Sequence, residues 1–239
     1  LIAMHALAYP VFSNAAHVGV APADYSMWQN MTANSNGTLA VRAGRANEWQ
    51  SGEIDVFRSS AVFNAGSYFG IDVDSGQTFT YGTDISNTVA APLWGFAKSD
   101  AGVLNLTGGV SLPGDVEVRG GQLNLSGPLV RGANLRALDN STVRFLGPLN
   151  LFSTASTTNG STLIVSNTAG VTMFGVLTNR GTSTFEGETN LIGLIAGEAG
   201  AINLRGNYTG ASNVILNGGA DISFGITTDS DDFTQIAQD

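Results

Sequence analysis

The chain has 239 residues, a formal net charge of −9 and no cysteine, and only 12% of its residues are charged. The length suffices for one elongated domain with a large core, and the lack of cysteine excludes disulfides and thiolate metal sites. The negative charge disfavours nucleic acid and anionic membrane surfaces as partners, but not a neutral glycan. The 31 glycines are typical of a fold with many corners. No run of eighteen apolar residues occurs, so no membrane span is predicted in this chain.

Residues 1–50 differ in composition from the rest, since they contain both histidines and two of the three tryptophans. Within them the segment APADYSMWQNM, residues 21–31, is predicted to form a short helix. A solenoid needs its open ends covered, so we predict that residues 1–50 are an N-terminal cap or attachment segment. From Ser51 onward the segments GEIDVF, YFGIDVDSG and QTFTYG alternate as strands do. The main domain is therefore predicted over residues 51–239, beginning near Gly52.

A short phrase recurs every nineteen or twenty residues between Leu104 and Phe224. It consists of an apolar, a polar and an apolar residue, followed by a tight turn, and the clearest repeats span residues 102–225. A fixed period of this size indicates a solenoid, and the alternation indicates that each phrase is an extended strand. The seven copies are LNLTG at Leu104, LNLSG at Leu123, VRFLG at Val143, LIVSN at Leu163, STFEG at Ser183, INLRG at Ile202 and ISFG at Ile222.

We therefore predict an all-β fold, a single-chain parallel β-helix (β-solenoid) with about 20 residues per coil. Ser183 is predicted to be the one polar residue at an inward position of the phrase. The rest of each period is predicted to supply further short strands, such as Val110 with Leu112 and, at comparable places later, Leu149 with Leu151. A residue that tolerates positive φ follows six of the phrases and is predicted to form a sharp corner; these residues are Gly108, Gly127, Gly147, Asn167, Gly187 and Gly206.

The stretch Phe69–Gly127 contains SGQT, DIS, FAKSDAGVLNLTG and, after a glycine corner, GGQLNLSG. It resembles the autotransporter-associated β-strand repeat, also called the passenger-associated transport repeat, and Phe96 to Gly108 match the central segment of that family. The resemblance implies a secreted or surface-displayed bacterial β-helix, the passenger of an autotransporter. Because this repeat serves as the stalk of adhesins, proteases and toxins alike, it implies a fold and no particular activity.

A nucleophilic triad has little support in the sequence. The segment NAAHV, residues 14–18, is similar to the histidine segment of trypsin-like proteases, and residues 74–76 read DSG. A triad, however, needs a full protease domain to bring Ser, His and Asp together, and no glycine precedes Asp74. We interpret His17 as a cap residue and Ser75 as part of a turn between strands.

Retaining glycosidases use two carboxyl groups held about 5–5.5 Å apart, so acids that share a strand face are candidates for this chemistry. Three pairs share a strand face: Asp72 with Asp74, Asp115 with Glu117, and Glu186 with Glu188. No acid occurs at the sites equivalent to Glu186 in neighbouring copies, which are Leu146, Ser166 and Arg205. We interpret the pairs as solvated outer faces. Few aromatic residues along the repeat could stack on a sugar ring. Those predicted to face outward are Phe152, Phe174 and Tyr208.

The sequence predicts no catalytic, cofactor-binding or metal-binding residues. The acidic run Thr228–Asp232 lacks ligand spacing, the two histidines make a poor zinc site, and no glycine-rich segment leads into a helix with a following lysine. The function expected is a non-enzymatic extracellular stalk or adhesin-like surface of an autotransporter-type passenger at the bacterial cell surface. Its expected partners are a surface glycan, a protein ligand or another copy of the chain. The alternatives are a phage fibre, tailspike or capsid-decorating protein on the virion, and a polysaccharide-degrading β-helix enzyme.

Overall fold

The computed structural model of the chain describes residues 11–12, 32–46, 48–87, 93–167, 170–186, 189–205, 208–209 and 213–224. The described residues form one helix, α1 (Ser51–Ser60), and many short strands. In chain order the strands are β1 (Val11–Phe12), β2 (Thr32–Ala33), β3 (Thr38–Arg42), β4 (Val62–Phe63), β5 (Tyr68–Asp72), β6 (Thr78–Tyr81), β7 (Ile85–Ser86), β8 (Gly95–Ser99), β9 (Val103–Leu106), β10 (Val110–Ser111), β11 (Val116–Val118), β12 (Gln122–Leu125), β13 (Val130–Ala137), β14 (Thr142–Phe145), β15 (Leu149–Thr157), β16 (Thr162–Val165), β17 (Val171–Asn179), β18 (Thr182–Phe185), β19 (Thr189–Gly197), β20 (Ala201–Leu204), β21 (Tyr208–Thr209), β22 (Asn213–Leu216) and β23 (Asp221–Phe224).

The recurring phrase forms one face of a parallel β-helix. Its seven strands and β6, which precedes the first copy, make an 8-stranded parallel sheet in the order β6, β9, β12, β14, β16, β18, β20 and β23. Leu123 is paired with Leu104 on one side and with Val143 on the other, and the series ends with Ile202 paired with Ile222. The sequence period therefore equals the pairing register. The predicted parallel β-helix with roughly 20 residues per coil is confirmed.

The rest of each coil belongs to a second parallel sheet, which has 13 strands among the described residues. In the coil of β9 this part consists of two short strands, β10 and β11. In β13, β15, β17 and β19 a single strand of 8 or 9 residues takes the place of both, since β13 pairs with β10 near its start and with β11 near its end. In the last coil two short strands, β21 and β22, return beside β19. The coils that begin with β6, β9 and β20 thus have three described strands, as predicted, whereas those that begin with β12, β14, β16 and β18 have two.

The core runs along the axis of the coils, between the two sheets. In each phrase the two alternating apolar residues are buried, as for Leu104 and Leu106. Ser183 is fully buried between Leu163 and Ile202, as predicted, and donates a hydrogen bond to Oδ1 of Asn179 at 2.6 Å.

Two aromatic residues predicted to face outward instead lie in this core. Phe152 and Phe174 are 5% and 1% exposed, and their ring centroids are 6.2 Å apart. Both pack against Phe145, at 5.8 and 5.9 Å, in tilted arrangements that aromatic pairs prefer. The prediction that these two residues face outward is therefore wrong, and the side chain of Tyr208 is outside the described residues.

The direction of the side chains in β15 explains this error. Asn150 and Phe152 point inward, while Leu149 and Leu151, which were expected to match Val110 and Leu112, are partly exposed. The inward Asn150 is held by hydrogen bonds from its amide nitrogen to the carbonyl of Gly147 (3.1 Å) and to Thr172 Oγ1 (3.2 Å). A buried polar side chain with partners of its own thus replaces an apolar one.

The glycines after the phrases have a different role from the one predicted. Among the described residues, Gly108, Gly127 and Gly147 do not have positive φ. Each lies directly over the coil below, so that a Cβ at Gly127 would approach the carbonyl oxygen of Gly108 to 2.0 Å. Asn167 also lacks positive φ, and Gly187 and Gly206 lie outside the described residues. The left-handed corners instead precede the phrase, for example at Asn140 (φ 59) and Gly160 (φ 80).

The segment GEIDVF, predicted as a strand, lies in helix α1. Ile54 and Phe57 are fully buried and three residues apart, which places them on one helical face. The backbone N–H of Gln50 donates to Oε2 of Glu53 at 2.8 Å, which satisfies a free donor at the helix start. The apolar residues Ile54 and Val56 are also two apart, so this short segment fits either period.

Helix α1 occupies the place in its coil where later coils have a strand of the 8-stranded sheet. It lies beside β6, the first strand of that sheet. The carboxylate of Asp55 in α1 accepts hydrogen bonds from the hydroxyl groups of Tyr81, at the end of β6, and of Thr83. The start of the solenoid predicted near Gly52 falls inside α1, while β3, which precedes it, already pairs with β5. The predicted helix at residues 21–31 and both histidines lie outside the described residues.

One column of inward residues in the 13-stranded sheet contains polar as well as apolar side chains. The residues, one per coil, are Val41, Ile71, Lys98, Val118, Ala137, Thr157, Asn179 and Gly197. Lys98 and Asn179 are both fully buried. They adjoin the corner between the two sheets, where their side chains donate to backbone carbonyls.

Candidate ligand-binding cleft

On the outer face of the 13-stranded sheet, long side chains lie over a row of small residues. Ala40, Gly70 and Ala97 lie in register on three successive strands, and both alanines are fully buried although they face outward. Arg119 extends across this row, since its Nη1 donates to Oγ1 of Thr38 at 2.9 Å. The small residues therefore give space for long side chains to lie flat on the sheet.

Tyr68 is the aromatic residue of this surface. A Cβ at Gly95 would lie 2.9 Å from Cε1 of Tyr68, so the ring packs directly on that glycine. The guanidinium carbon of Arg119 is 4.9 Å from the ring centroid, within the range of a cation–π contact. The Tyr68 hydroxyl donates to Oε1 of Glu117 at 3.0 Å. Burial, and then the charge of Glu117, raise the pKa of Tyr68 to about 12.

Two carboxylates and two arginines form a network beside this tyrosine. Glu117 accepts from Nε of Arg119 at 2.9 Å and from Nη1 of Arg136 at 3.2 Å. Asp115 pairs with Nη2 of Arg136 at 3.0 Å and accepts from the amide of Asn134 at 2.6 Å. Glu117 is only 7% exposed, so the prediction of a solvated outer face is wrong for this residue.

A cleft of about 330 Å³ opens next to the network. The side chain of Arg136 is 46% exposed and that of Asp115 is 18% exposed, and Leu93 is 51% exposed. The floor contains glycines, because a Cβ at Gly114 would approach the carbonyl oxygen of Trp94 to 2.3 Å. The lining residues are Asn36, Gly66, Ser67, Tyr68, Leu93, Gly95, Pro113, Gly114, Asp115 and Arg136.

A second group of acids lies further along the same sheet. Within the described residues, Asp72, Asp74 and Asp100 have carboxylate oxygens within 4.8 Å of one another, a spacing that could suit a metal ion. Arg42 binds Asp72 at 2.9 Å, and Arg45 binds Asp74 at 2.8 Å, so two of the three carboxylates already have cationic partners. Burial raises the pKa of Asp72 although Arg42 opposes the shift. Asp72 is 3% exposed, so the prediction of a solvated face is wrong here also.

The other predicted candidates are not brought together. Glu186 is exposed and lies opposite Arg205, with 3.7 Å between Oε1 and Nη1, and Glu188 lies outside the described residues. Ser75 is in the exposed turn between β5 and β6, next to Gly76 (φ 74). His17 lies outside the described residues, so its position relative to Ser75 stays undescribed.

Comparison with protein-family models, with curated proteins and with solved structures finds no match to this chain. In the described part of the chain, no helix has both the length and the apolar character needed to span a bilayer. The fold and the cleft are therefore interpreted from their own geometry.

Proposed function

We propose that the chain is a non-catalytic structural stalk with an adhesin-like surface, part of a bacterial passenger of the autotransporter type. The observation that carries the proposal is the unbroken register of the 8-stranded sheet from β6 to β23. Stacked coils of this kind are stabilised by contacts with their neighbours, so a solenoid can be long without changing its cross-section. A long element with a constant surface suits display and adhesion.

The segment that resembles the autotransporter-associated repeat supports this proposal. Phe69–Gly127 includes β6, β9 and β12, which are consecutive strands of the 8-stranded sheet. The matched central segment, Phe96–Gly108, contains β9 and most of β8. The part of the sequence that resembles the passenger repeat thus contributes to both parallel sheets of the solenoid.

The state of the acids supports the non-catalytic part of the proposal. A general acid needs a raised pKa and access to the substrate, and a nucleophile needs a free carboxylate. Asp72 is buried beside Arg42, and Glu117 is bound by Arg119 and Arg136. Charge-assisted pairs of this kind fix side chains in place.

The test is surface labelling of intact cells of the source bacterium with an antibody raised against this chain, before and after treatment with an external protease. We expect labelling of intact cells and its loss after protease treatment, with a cytoplasmic protein as the unlabelled control. Labelling only after cell lysis would contradict the proposal. Copurification of the chain with virions would contradict it in favour of the phage alternative.

A further inference from the structure

We infer that the cleft between Tyr68, Leu93 and Arg136 is a binding subsite for one or two sugar units of a neutral glycan. The inference rests on the proposed adhesive function and assigns its ligand to a defined place. The volume of about 330 Å³ is near the lower end of the range of small-molecule sites, roughly 300–1,000 Å³. A ligand of one or two rings therefore fits, and a folded protein domain would touch only its rim.

The polar wall of the cleft matches neighbouring hydroxyl groups. Asp115 and Arg136 are joined at 3.0 Å, so an acceptor and a donor stand side by side at the mouth. Each carboxylate oxygen has more than one acceptor site, and a guanidinium has five N–H donors, so both retain capacity for a ligand. A vicinal diol can donate one hydroxyl to Asp115 and accept with the other from Arg136.

The positions of these two groups are fixed before any ligand binds. Asn134 holds the second oxygen of Asp115 at 2.6 Å, and Glu117 holds the second arm of Arg136 at 3.2 Å. Groups that are already ordered lose less conformational entropy on binding, and this increases affinity. A built network of this kind distinguishes the cleft from the exposed pair of Glu186 and Arg205, whose closest atoms are 3.7 Å apart.

The apolar wall and the local charge define the class of the ligand. Leu93 is 51% exposed and lines the cleft with Pro113 and Tyr68, which gives a surface for the C–H face of a sugar ring. Asp115 and Glu117 are balanced by Arg136 and Arg119, so the network beside the cleft has no net charge. It therefore offers hydrogen-bonding groups to a neutral sugar without the excess positive charge that would favour an anionic one.

The test uses the full chain on a printed array of neutral and sialylated oligosaccharides, followed by calorimetric titration with lactose, mannotriose and diacetylchitobiose. We expect saturable binding of at least one neutral probe. Asp115→Asn and Arg136→Ala should each weaken it by at least about tenfold, because each removes a charged hydrogen-bonding group. The matched control is Glu186→Gln, which changes an exposed acid of the other sheet and should leave affinity within about twofold.

Folding of each variant is checked by circular dichroism. Leu93→Ala provides an independent variant, since an exposed side chain contributes little to the core, and we expect it to weaken binding about threefold. The inference is overturned if no neutral probe binds, if sialylated glycans bind equally well, or if the three cleft variants bind like the unchanged chain. Surface labelling of cells does not depend on sugar binding, so either proposal can fail while the other stands.

Discussion

Lys98 and Asn179 occupy the same inward column of the solenoid, four coils apart. Each donates hydrogen bonds at the equivalent corner of its own coil, Lys98 from a charged ammonium group and Asn179 from a neutral amide. Lys98 donates from Nζ to the carbonyls of Ser99 (2.9 Å), Asp100 and Gly120 (3.0 Å). Asn179 donates from its amide to the carbonyls of Gly181, Ala199 and Ala201, at 3.0 to 3.3 Å. Each side chain thus binds carbonyls that belong to two successive coils.

The difference between them shows what a corner of this fold requires. Buried carbonyls require hydrogen-bond donors, and at this corner a polar side chain from the core supplies some of them. Lysine brings a charge whose burial lowers its pKa to about 8, while Asp72 and Asp100 oppose the shift. Asparagine brings no charge, and its Oδ1 also accepts from Thr157 and Ser183. The two coils thus share a buried side chain that donates hydrogen bonds at the corner, but they do not share a positive charge there.

The largest expected effect is that of Asn179→Leu. The substitution removes the amide that donates to the carbonyls of Ala199 and Ala201. It also removes the oxygen that accepts from the hydroxyls of Thr157 and Ser183. We therefore expect a loss of about 3 kcal/mol in the free energy of unfolding. Urea unfolding followed by circular dichroism measures it. The matched control is Asn105→Leu on the outer face of β9, which should cost less than about 1 kcal/mol. Equal costs would contradict a special role for the inward amide.

Lys98→Met should cost less than Asn179→Leu, about 2 kcal/mol at pH 7, measured by the same unfolding experiment. The carbonyls of Asp100 and Gly120 lose the hydrogen bonds from Lys98, but the cost of burying an ammonium group disappears with the charge. Methionine keeps the length of the side chain, so no large cavity forms. A cost above that of Asn179→Leu would show that the charge itself stabilises the corner.

The pH dependence of stability separates the charge of Lys98 from its hydrogen bonds. Since its pKa is about 8 in the folded chain and 10.5 when unperturbed, the unfolded chain binds more protons between these values. The free energy of unfolding should therefore rise with pH across this window, by on the order of 1 kcal/mol more than in Lys98→Met.

The difference from Lys98→Met is the quantity to measure, because tyrosines act in the opposite direction above about pH 10. The pKa values of Tyr68 and Tyr81 are raised, so the folded chain keeps protons that the unfolded chain loses, and stability falls there with pH in both variants. Unfolding by urea at pH 7, 8, 9 and 10 gives the difference. Parallel curves for the two proteins would contradict a lowered pKa at Lys98.

The regular part of this fold was predictable because the spacing between copies of the phrase equals the pairing register of successive strands. Leu104, Leu123 and Val143 recur at the spacing with which their strands pair. Elements that break the period were not predictable in the same way. In α1 the spacing of Ile54 and Val56 imitates a strand, and in β15 the inward position is held by a polar residue, Asn150.

The cleft was less predictable than the fold. Tyr68 and Asp115 lie on either side of Gly95, but the coil between Tyr68 and Gly95 is longer than twenty residues, so the period does not reveal this proximity. The outward Gly70 and Ala97 were a usable signal, because two small residues in register leave space above a sheet. The burial of Glu117 depends on Arg119 lying across that space, which no local pattern records.

The smallest expected effect, that of Ser183→Ala, tests whether donation is the function that Lys98 and Asn179 share. The Ser183 hydroxyl donates to Oδ1 of Asn179, which keeps a second donor in Thr157, so the substitution leaves no polar group unpaired. We expect a cost of about 0.5–1 kcal/mol in urea unfolding, because only one hydrogen bond is lost. A loss of stability near that of Asn179→Leu would mean that the hydrogen bonds accepted by Oδ1 of Asn179, and not those donated by its amide nitrogen, stabilise the corner. A lysine side chain can only donate hydrogen bonds. Lys98 and Asn179 would then not have the same role in their coils.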